Sequence, residues 1–434
     1  MKFVVIGITD NPQPWFPPEV MEVIRKGKVF SGGKRHHEIV APLLPHDAAW
    51  IDITVPLDDV FEQYKLKAKS PLGRRTLATN GTQEQPTATI IVFASGDPLF
   101  FGFANTIRKR MPEAAIELFP SFNSLQMLAH RLIMPYHDMR IVSLTGRPWP
   151  EFDKALIERT KKIGILTDKE HTPAAIAQRM TAYGYTDYTM YVGEHLGNPV
   201  KEKVTTLTLE EATQHSFDHP NCVIIGANSQ KPKAKSHFGI PDTEFALLDG
   251  REKMITKMPI RLLTLQALDL PNRRVFWDIG ACTGSVSIEA RLQFPHLQIE
   301  AFEIRPECEA IIHENARRHG APGINVHIGD FRSVCCDDIA TYTTYGTPDA
   351  VFIGGHGGQL KDIMAKVLTV LAPGGVIVMN SVTSPVVEQM TNRRSSRQLW
   401  DEACRELGLQ QEPPLHIQLN NHNPIEILKA TQKW

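Results

Sequence analysis

The sequence predicts an α/β protein of two dissimilar domains, and three observations carry that reading. Short apolar, β-branched runs alternate with amphipathic helical stretches along nearly all of the chain, as in sheets covered by helices. The stretch after Ala227, "NSQKPKAKSHFGIPDTE", is polar, Lys-rich, broken by Pro and without periodicity, as a solvated linker is. At 434 residues the chain exceeds one ordinary core and suits two domains of roughly 200 residues each. Residues 1–228 are therefore expected to form the first domain, 229–249 a linker and 250–434 the second. No internal repeat joins the halves, so they are different folds.

Strands of the first domain are expected at "KFVVIGI", "VFSGG", "IDITVP", "TIIVFASG", "AIELFPS", "RIVSLTG", "KIGILTD", "TMYVGE" and "CVIIGA". Between them "PPEVMEVIRKG", "FANTIRKRM", "NSLQMLAHRL" and "PAAIAQRMTAYG" have helical periodicity and stop at Gly or Pro. The second domain has strand patterns at "RVFWDIG", "LQIEAFEI", "INVHIGD", "PDAVFIGG" and "GGVIVMNSV".

Hydrophobic content of 42% and charged content of 22% are globular values, and a net charge of −1 argues against broad nucleic-acid binding. Apolar runs fall far short of the roughly 18 residues of a membrane span and no leader pattern opens the chain, so a cytoplasmic location is expected. The cysteines, Cys222, Cys282, Cys308, Cys335, Cys336 and Cys404, form no CxxC pair and read as free thiols. No metal is expected: His36-His37 and the His313/His319 pair lack a third ligand at suitable spacing and read as surface histidines.

Ligands of open parallel sheets bind beyond the carboxyl ends of the strands. In "VFWDIGACTGSVSIEA" the strand ends in Asp278-Ile279-Gly280; Gly280 permits a tight turn, and Gly284 lets the next helix pack closely and present free N–H groups. The next strand ends at Glu303, 25 residues after Asp278, where a carboxylate can accept bonds from both hydroxyls of a ribose. The third ends in Gly329-Asp330 and the fourth in "GGHGG", residues 354–358. A dinucleotide wants G-x-G-x-x-G, but Cys282 and Ser285 stand at the second and third positions, so the bare backbone that pyrophosphate needs is missing. A cofactor without phosphates fits better. S-adenosylmethionine offers a ribose to Glu303, an adenine to the Asp330 region and an amino-acid end to the glycine turn.

"DIGACTGSVSIEA", "NARRHG", "PDAVFIGGHGG" and "LAPGGVIVMNSVT" resemble the Rossmann-like corrin-ring methyltransferase domain that methylates carbon 15 and removes a carboxyl from the neighbouring acetate arm. The family usually has Gly where Cys282 stands. The resemblance implies that Ala281, Cys282, Thr283 and Phe331 join Asp278, Gly280, Gly284, Glu303 and Asp330 around the cofactor, and that Gly354, Gly355, Gly357, Gly358 and Asn380 face the substrate. It extends into "DGREKMITKMPIR", where Thr256 matches a position near the cofactor; by spacing alone Thr256 is equally a helix N-cap. His356 is the one catalytic candidate, for proton traffic, with hydrogen bonding to substrate carboxylates as the alternative.

In the first domain "FASGDPLFFG" closes an apolar strand, with Asp97 held extended before Pro98 and Gly96 free to take unusual angles. From the residues alone it is a strand-end loop. Taken with "FVVIGI", "LFPSFNSLQML", "VSLTGRP" and "VGEHLG", it resembles the tetrapyrrole methylase fold of two α/β lobes, in the branch that methylates carbon 5. That resemblance implies a second S-adenosylmethionine among Ser95, Gly96, Asp97, Phe100, Ser121, Gly193 and Glu194. Where the family often opens with a "GIGPG"-like loop, this chain reads "GITDNPQPWFPPEV". The substrate implied carries many carboxylates, for which Arg147 and Lys34-Arg35 are candidates; each is otherwise a solvated surface charge.

Together the two resemblances cover almost the whole chain, in the order of the bifunctional precorrin-6B (precorrin-6Y) C5,15-methyltransferases (decarboxylating) of cobalamin biosynthesis. They imply two S-adenosylmethionine sites, a small-molecule corrin precursor as substrate, no nucleic acid or membrane partner, and a homo-oligomer. The competing readings are an RNA methyltransferase, which needs a basic stripe with stacking aromatics, and an S-adenosylmethionine-binding protein whose second site Cys282 disables.

Overall fold

Apolar β-branched runs with no polar alternation are strands buried on both faces, and they place the sheets of this molecule. The computed structural model describes residues 1–69, 88–229, 238–334, 346–382, 394–419 and 423–432. By internal packing the chain divides into a first unit of Met1–Arg147, Lys161–Gln178 and Tyr188–Ala227, and a second of Pro148–Thr160, Arg179–Asp187 and Asn228–Trp434.

The first unit holds two five-stranded sheets. β1 (Lys2–Ile8), β2 (Val29–Gly32), β3 (Ala49–Asp52), β4 (Thr89–Ser95) and β5 (Ala115–Phe119) form a parallel sheet in the order β3-β2-β4-β1-β5. β6 (Arg140–Ser143), β7 (Lys162–Leu166), β8 (Tyr188–Glu194), β9 (Lys203–Thr208) and β10 (Asn221–Ala227) form the other, ordered β6-β7-β10-β8-β9, in which only β6 and β7 run parallel. All nine expected strands are present. The tenth, β9, is "KVTTLT", a half-exposed edge strand too polar to stand out in the sequence.

The second unit is built on one eight-stranded sheet. β11 (Val275–Ile279), β12 (Gln298–Glu303), β13 (Ile324–Ile328), β14 (Ala350–Ile353) and β15 (Val376–Val382) are its parallel part, and β16 (Leu409–Gln411), β17 (Leu415–Ile417) and β18 (Ile425–Gln432) add an antiparallel edge; the path runs β13-β12-β11-β14-β15-β18-β16, with β17 also on β18. Starting from central β11 the chain moves outward to β13, then returns to β14 on the other side. The carboxyl ends of β11 and β14 therefore bound a topological switch point. β11, "VFWDI", is buried at all five positions because both faces are covered.

Two sequence expectations need correction. The described part of the linker is packed: Ile240, Phe245 and Leu248 are buried, and Gly239 and Ile240 donate their amides to the fully buried Glu289 (2.9 and 3.1 Å). Residues 148–160 and 179–187 sit with the second unit although they precede the expected boundary. Buried Asp153 lies 3.9 Å from the guanidinium of buried Arg291, and the Tyr185 hydroxyl donates to the Gly320 carbonyl (2.7 Å). No helix among the described residues is long and apolar enough to cross a membrane. Cys222, Cys282, Cys308 and Cys404 are buried free thiols; Cys335 and Cys336 lie outside the described residues.

Candidate active sites

In the second unit a cavity of about 1080 Å³ opens at the switch point, beyond the carboxyl ends of β11, β12, β14 and β15. Its floor is two strand-end loops in backbone contact. Gly280 has φ +81°, and a Cβ on it would lie 2.6 Å from the Gly355 amide nitrogen. Cys282 has φ +50°, the left-handed region that favours glycine, so the position is glycine-like in conformation although a thiol occupies it. That thiol packs in a small cluster with Leu248 and Cys308, while Cys282 also lines the cavity.

Asp278 is 1% exposed. Its Oδ2 accepts the Ser287 hydroxyl (2.6 Å), and its buried Oδ1 has no partner among the described residues. Burial pushes its carboxyl up to about 6, and the Ser287 bonds only partly oppose this. Glu303 is arranged differently: it accepts the amides of Cys282 (2.8 Å) and Arg305 (3.0 Å) and a two-pronged guanidinium bond from Arg305 (2.8 and 3.0 Å). Burial would raise its carboxyl, but these bonds outweigh that and hold it below its ordinary value. Asp330 repeats the pattern, with Arg332 clamping it (2.6 Å) and holding its carboxyl down. Both carboxylates line the cavity, each covered by the arginine two residues on.

Ala281, Thr283, Phe331, Thr256, Gly354, Gly355, Gly357 and Asn380 also line this cavity. Gly284, which packs against Ile312, and Gly358 are not in its wall. The Asn380 amide nitrogen is buried without a partner among the described residues, while its Oδ1 faces the Thr264 hydroxyl (3.1 Å). Thr256 is not the N-cap of the helix Met258–Ala267; Lys257 is, and the Thr256 carbonyl accepts a bond from Arg261 (2.8 Å). His356 lines the wall with both nitrogens engaged: Nδ1 accepts the Gly358 amide (3.1 Å) and Nε2 lies 3.3 Å from the Ser396 hydroxyl. Burial lowers its pKa, which favours the neutral ring.

In the first unit a cavity of about 600 Å³ lies beyond β1, β2 and β4, lined by Ser95, Gly96, Phe100, Gly193 and Arg147 among the expected residues. Gly96 has φ +59°, and a Cβ there would meet the Asn123 Cα at 2.8 Å. Asp97, Ser121 and Glu194 do not line it. The Asp97 carboxylate closes its own turn on the Leu99 amide (2.8 Å), and the Ser121 amide donates to the Gly96 carbonyl (3.4 Å) across a seam where a Cβ on Gly7 would lie 1.9 Å from that oxygen. Glu194 is buried and accepts the Asp218 amide (2.6 Å). Arg147 is exposed, yet it is held at the cavity: it donates to Ser143 (2.6 Å) and lies over the Phe101 ring (5.1 Å). Phe101 and Phe122, 47% and 58% exposed, also line this cavity.

Lys34 is exposed, but Arg35 turns inward and bonds Asp10 (2.6 Å) and Ser95 (2.9 Å). Three of the four expected surface histidines are packed. His36 lines the cavity, His37 stacks on Trp50 (4.1 Å between centroids), and buried His319 lies against Phe245 with Nε2 3.2 Å from the Glu244 carbonyl. The residues that the sequence reading leaves out are Asp10, His36 and His195 here and Arg305 and Arg332 in the second unit. For the last two a signal exists, carboxylate-x-Arg at two successive strand ends.

Models of two families match: precorrin methyltransferase domains over residues 249–399, and tetrapyrrole (corrin/porphyrin) methylases over residues 2–213. A Sinorhizobium protein named precorrin-6Y C(5,15)-methyltransferase [decarboxylating] is 30% identical over 383 residues, 88% of this chain and 84% of its own. A cobalt-precorrin-6B C(15)-methyltransferase (decarboxylating) of Salmonella typhimurium is 38% identical over 31% of this chain and 66% of that protein. A cobalt-precorrin-7 C(5)-methyltransferase of the same organism is 29% identical over 25% of this chain and 52% of that protein.

Proposed function

Because the chain belongs to the family of precorrin-6Y C(5,15)-methyltransferases (decarboxylating) of cobalamin biosynthesis, we propose that each unit binds one S-adenosylmethionine beside a corrin precursor. The first unit methylates carbon 5; the second methylates carbon 15 and releases the ring C acetate carboxyl. The observation that carries the second assignment is the buried Asp278 oxygen, without a partner among the described residues, in the cavity wall beside the Gly280 turn, an acceptor suited to an ammonium group. Glu303 and Asp330 suit the ribose and adenine once Arg305 and Arg332 swing off them. In the first unit the Gly96 turn and Gly193 offer the corresponding bare backbone.

S-adenosylmethionine supplies a methyl group on a positively charged sulfur. The conjugated ring makes its own carbon nucleophilic, so the residues mainly align that carbon and exclude water. Phe101 and Phe122 give flat faces for the ring, and Arg147 has N–H groups to spare for its carboxylates. In the second unit the lost carboxylate leaves as carbon dioxide and its electron pair stays on the ring, so the site needs no strong base. His356, held neutral with both nitrogens engaged, suits a wall that positions the glycine loop. Mass spectrometry of the product formed from purified precursor and S-adenosylmethionine tests the reading. Two added methyls with loss of carbon dioxide is the expected result; one methyl without decarboxylation confines activity to the first unit.

A further inference from the structure

We infer that Ser95 is a specificity residue whose hydroxyl is held as a fixed donor toward a ligand carboxylate in the first unit's cavity, with His36 and Arg35 as its positioning residues. This rests on the reading that the first unit binds a methyl donor and a polycarboxylate ring.

The proton positions follow from the bonds. Gly33 donates its amide to His36 Nδ1 (3.2 Å); a backbone N–H can only donate, so Nδ1 carries no proton. Burial, and then the charge of Arg35, lower the His36 pKa to about 4, so the ring is neutral and its one hydrogen is on Nε2. Nε2 lies 2.9 Å from Ser95 Oγ, with the Phe93 carbonyl also within its reach, and it is the donor in that contact. Arg35 Nη2 approaches the same oxygen at 2.9 Å, and a guanidinium too can only donate.

A hydroxyl oxygen has two lone pairs, and both are now engaged. The hydrogen of Ser95 has no acceptor among the described residues, while the side chain is exposed to the cavity at the carboxyl end of β4. It therefore points to the ligand. The supports are themselves held: Arg35 bonds Asp10 Oδ1 (2.6 Å), and Asp10 Oδ2 lies 2.9 Å from His195 Nδ1. Asp10 is turned to these two partners, and no bond from the Ser95 hydroxyl to it is present among the described residues. A fixed O–H with arginines on two sides of the same cavity selects an anionic acceptor. Two ligands bring a carboxylate, the amino-acid end of the methyl donor and the acid arms of the ring.

Ser95→Ala in the full chain separates the two sources. Titration with S-adenosylhomocysteine and the kinetics of carbon 5 methylation are read side by side. A loss of about tenfold to a hundredfold in S-adenosylhomocysteine affinity at one of two sites assigns the hydroxyl to the methyl donor. The same rise in KM for the corrin precursor, with little change in kcat and unchanged S-adenosylhomocysteine binding, assigns it to a ring carboxylate. In either case Ser95→Thr, which keeps the hydroxyl, recovers most of the loss, and His36→Ala gives a smaller one. Carbon 15 methylation by the same molecules marks the chain as folded. Unchanged binding and KM in Ser95→Ala, or equal impairment of Ala and Thr, overturns the inference. Failure of the functional reading looks different, because the unsubstituted chain itself then gives no carbon 5 product.

Discussion

Cys282 occupies a left-handed backbone position, which costs an L-residue about 1–2 kcal/mol relative to glycine, while its thiol packs against Leu248 and Cys308. Cys282→Gly relieves the one and loses the other. We expect stability to change by less than about 1 kcal/mol and S-adenosylhomocysteine affinity to stay the same or rise, as calorimetric titration would read; a large loss would give the thiol a direct role. Asp278 predicts a pH effect. Its folded pKa is raised to about 6, so the stability gained by its bound proton is present at low pH and lost as pH rises through about 6. On the proposed reading the ammonium group of the cofactor needs the carboxylate form, so affinity at the second unit should fall as pH drops below about 6, and Asp278→Asn should flatten that dependence. Arg305→Ala frees Glu303 and should tighten S-adenosylhomocysteine by up to about fivefold, the scale of a partly exposed ion pair. Carboxylates at strand ends were legible because the sheet dictates where ligands sit. Their arginine covers left only the carboxylate-x-Arg spacing as a trace, and the bond between His36 and Ser95, 59 residues apart, left none, since only the β2–β4 pairing creates it.

At the scale of elements, the parallel strands were legible because burial on both faces leaves an apolar run that resembles nothing else. β18, "IEILKATQ", mixes polar and apolar residues as an antiparallel strand between β15 and the short β16 and β17, and β9 does so as an edge. The packed stretch after residue 238 was hidden for another reason: its order comes from one buried ionic network. Glu289, in the helix Ser285–Gln293, accepts Gly239, Ile240 and Arg261 (3.2 Å), and Arg261 also bonds the Ile240 and Thr256 carbonyls. Removing one partner leaves the other charge buried. Glu289→Ala should therefore cost about 3–5 kcal/mol in chemical denaturation, and Glu289→Gln less. Because Arg261 holds the Thr256 carbonyl beside the cavity, the surviving folded fraction of Glu289→Gln should bind S-adenosylhomocysteine more weakly in the second unit.

For the whole molecule, the order of two unlike α/β units was readable from motif order, whereas their edges were not, because single buried contacts such as Tyr185 to Gly320 assign short stretches against the run of the sequence. The two cavities draw on separate residues of separate units, so one glycine in each should switch off one chemistry alone. A Cβ at Gly280 collides with the Gly355 amide and a Cβ at Gly96 with the Asn123 Cα, both at backbone positions of positive φ. On the proposed assignment, Gly280→Ala should lose carbon 15 methylation together with decarboxylation, and Gly96→Ala should lose carbon 5 methylation only. If one of these reactions must precede the other, the variant blocked at the earlier step makes no product by itself, and loss of activity alone would mislead. Mixing the two purified variants resolves this. Each supplies the site that the other lacks, so the mixture should form the doubly methylated, decarboxylated product seen by mass spectrometry, at a rate that rises with protein concentration as the intermediate passes through solution.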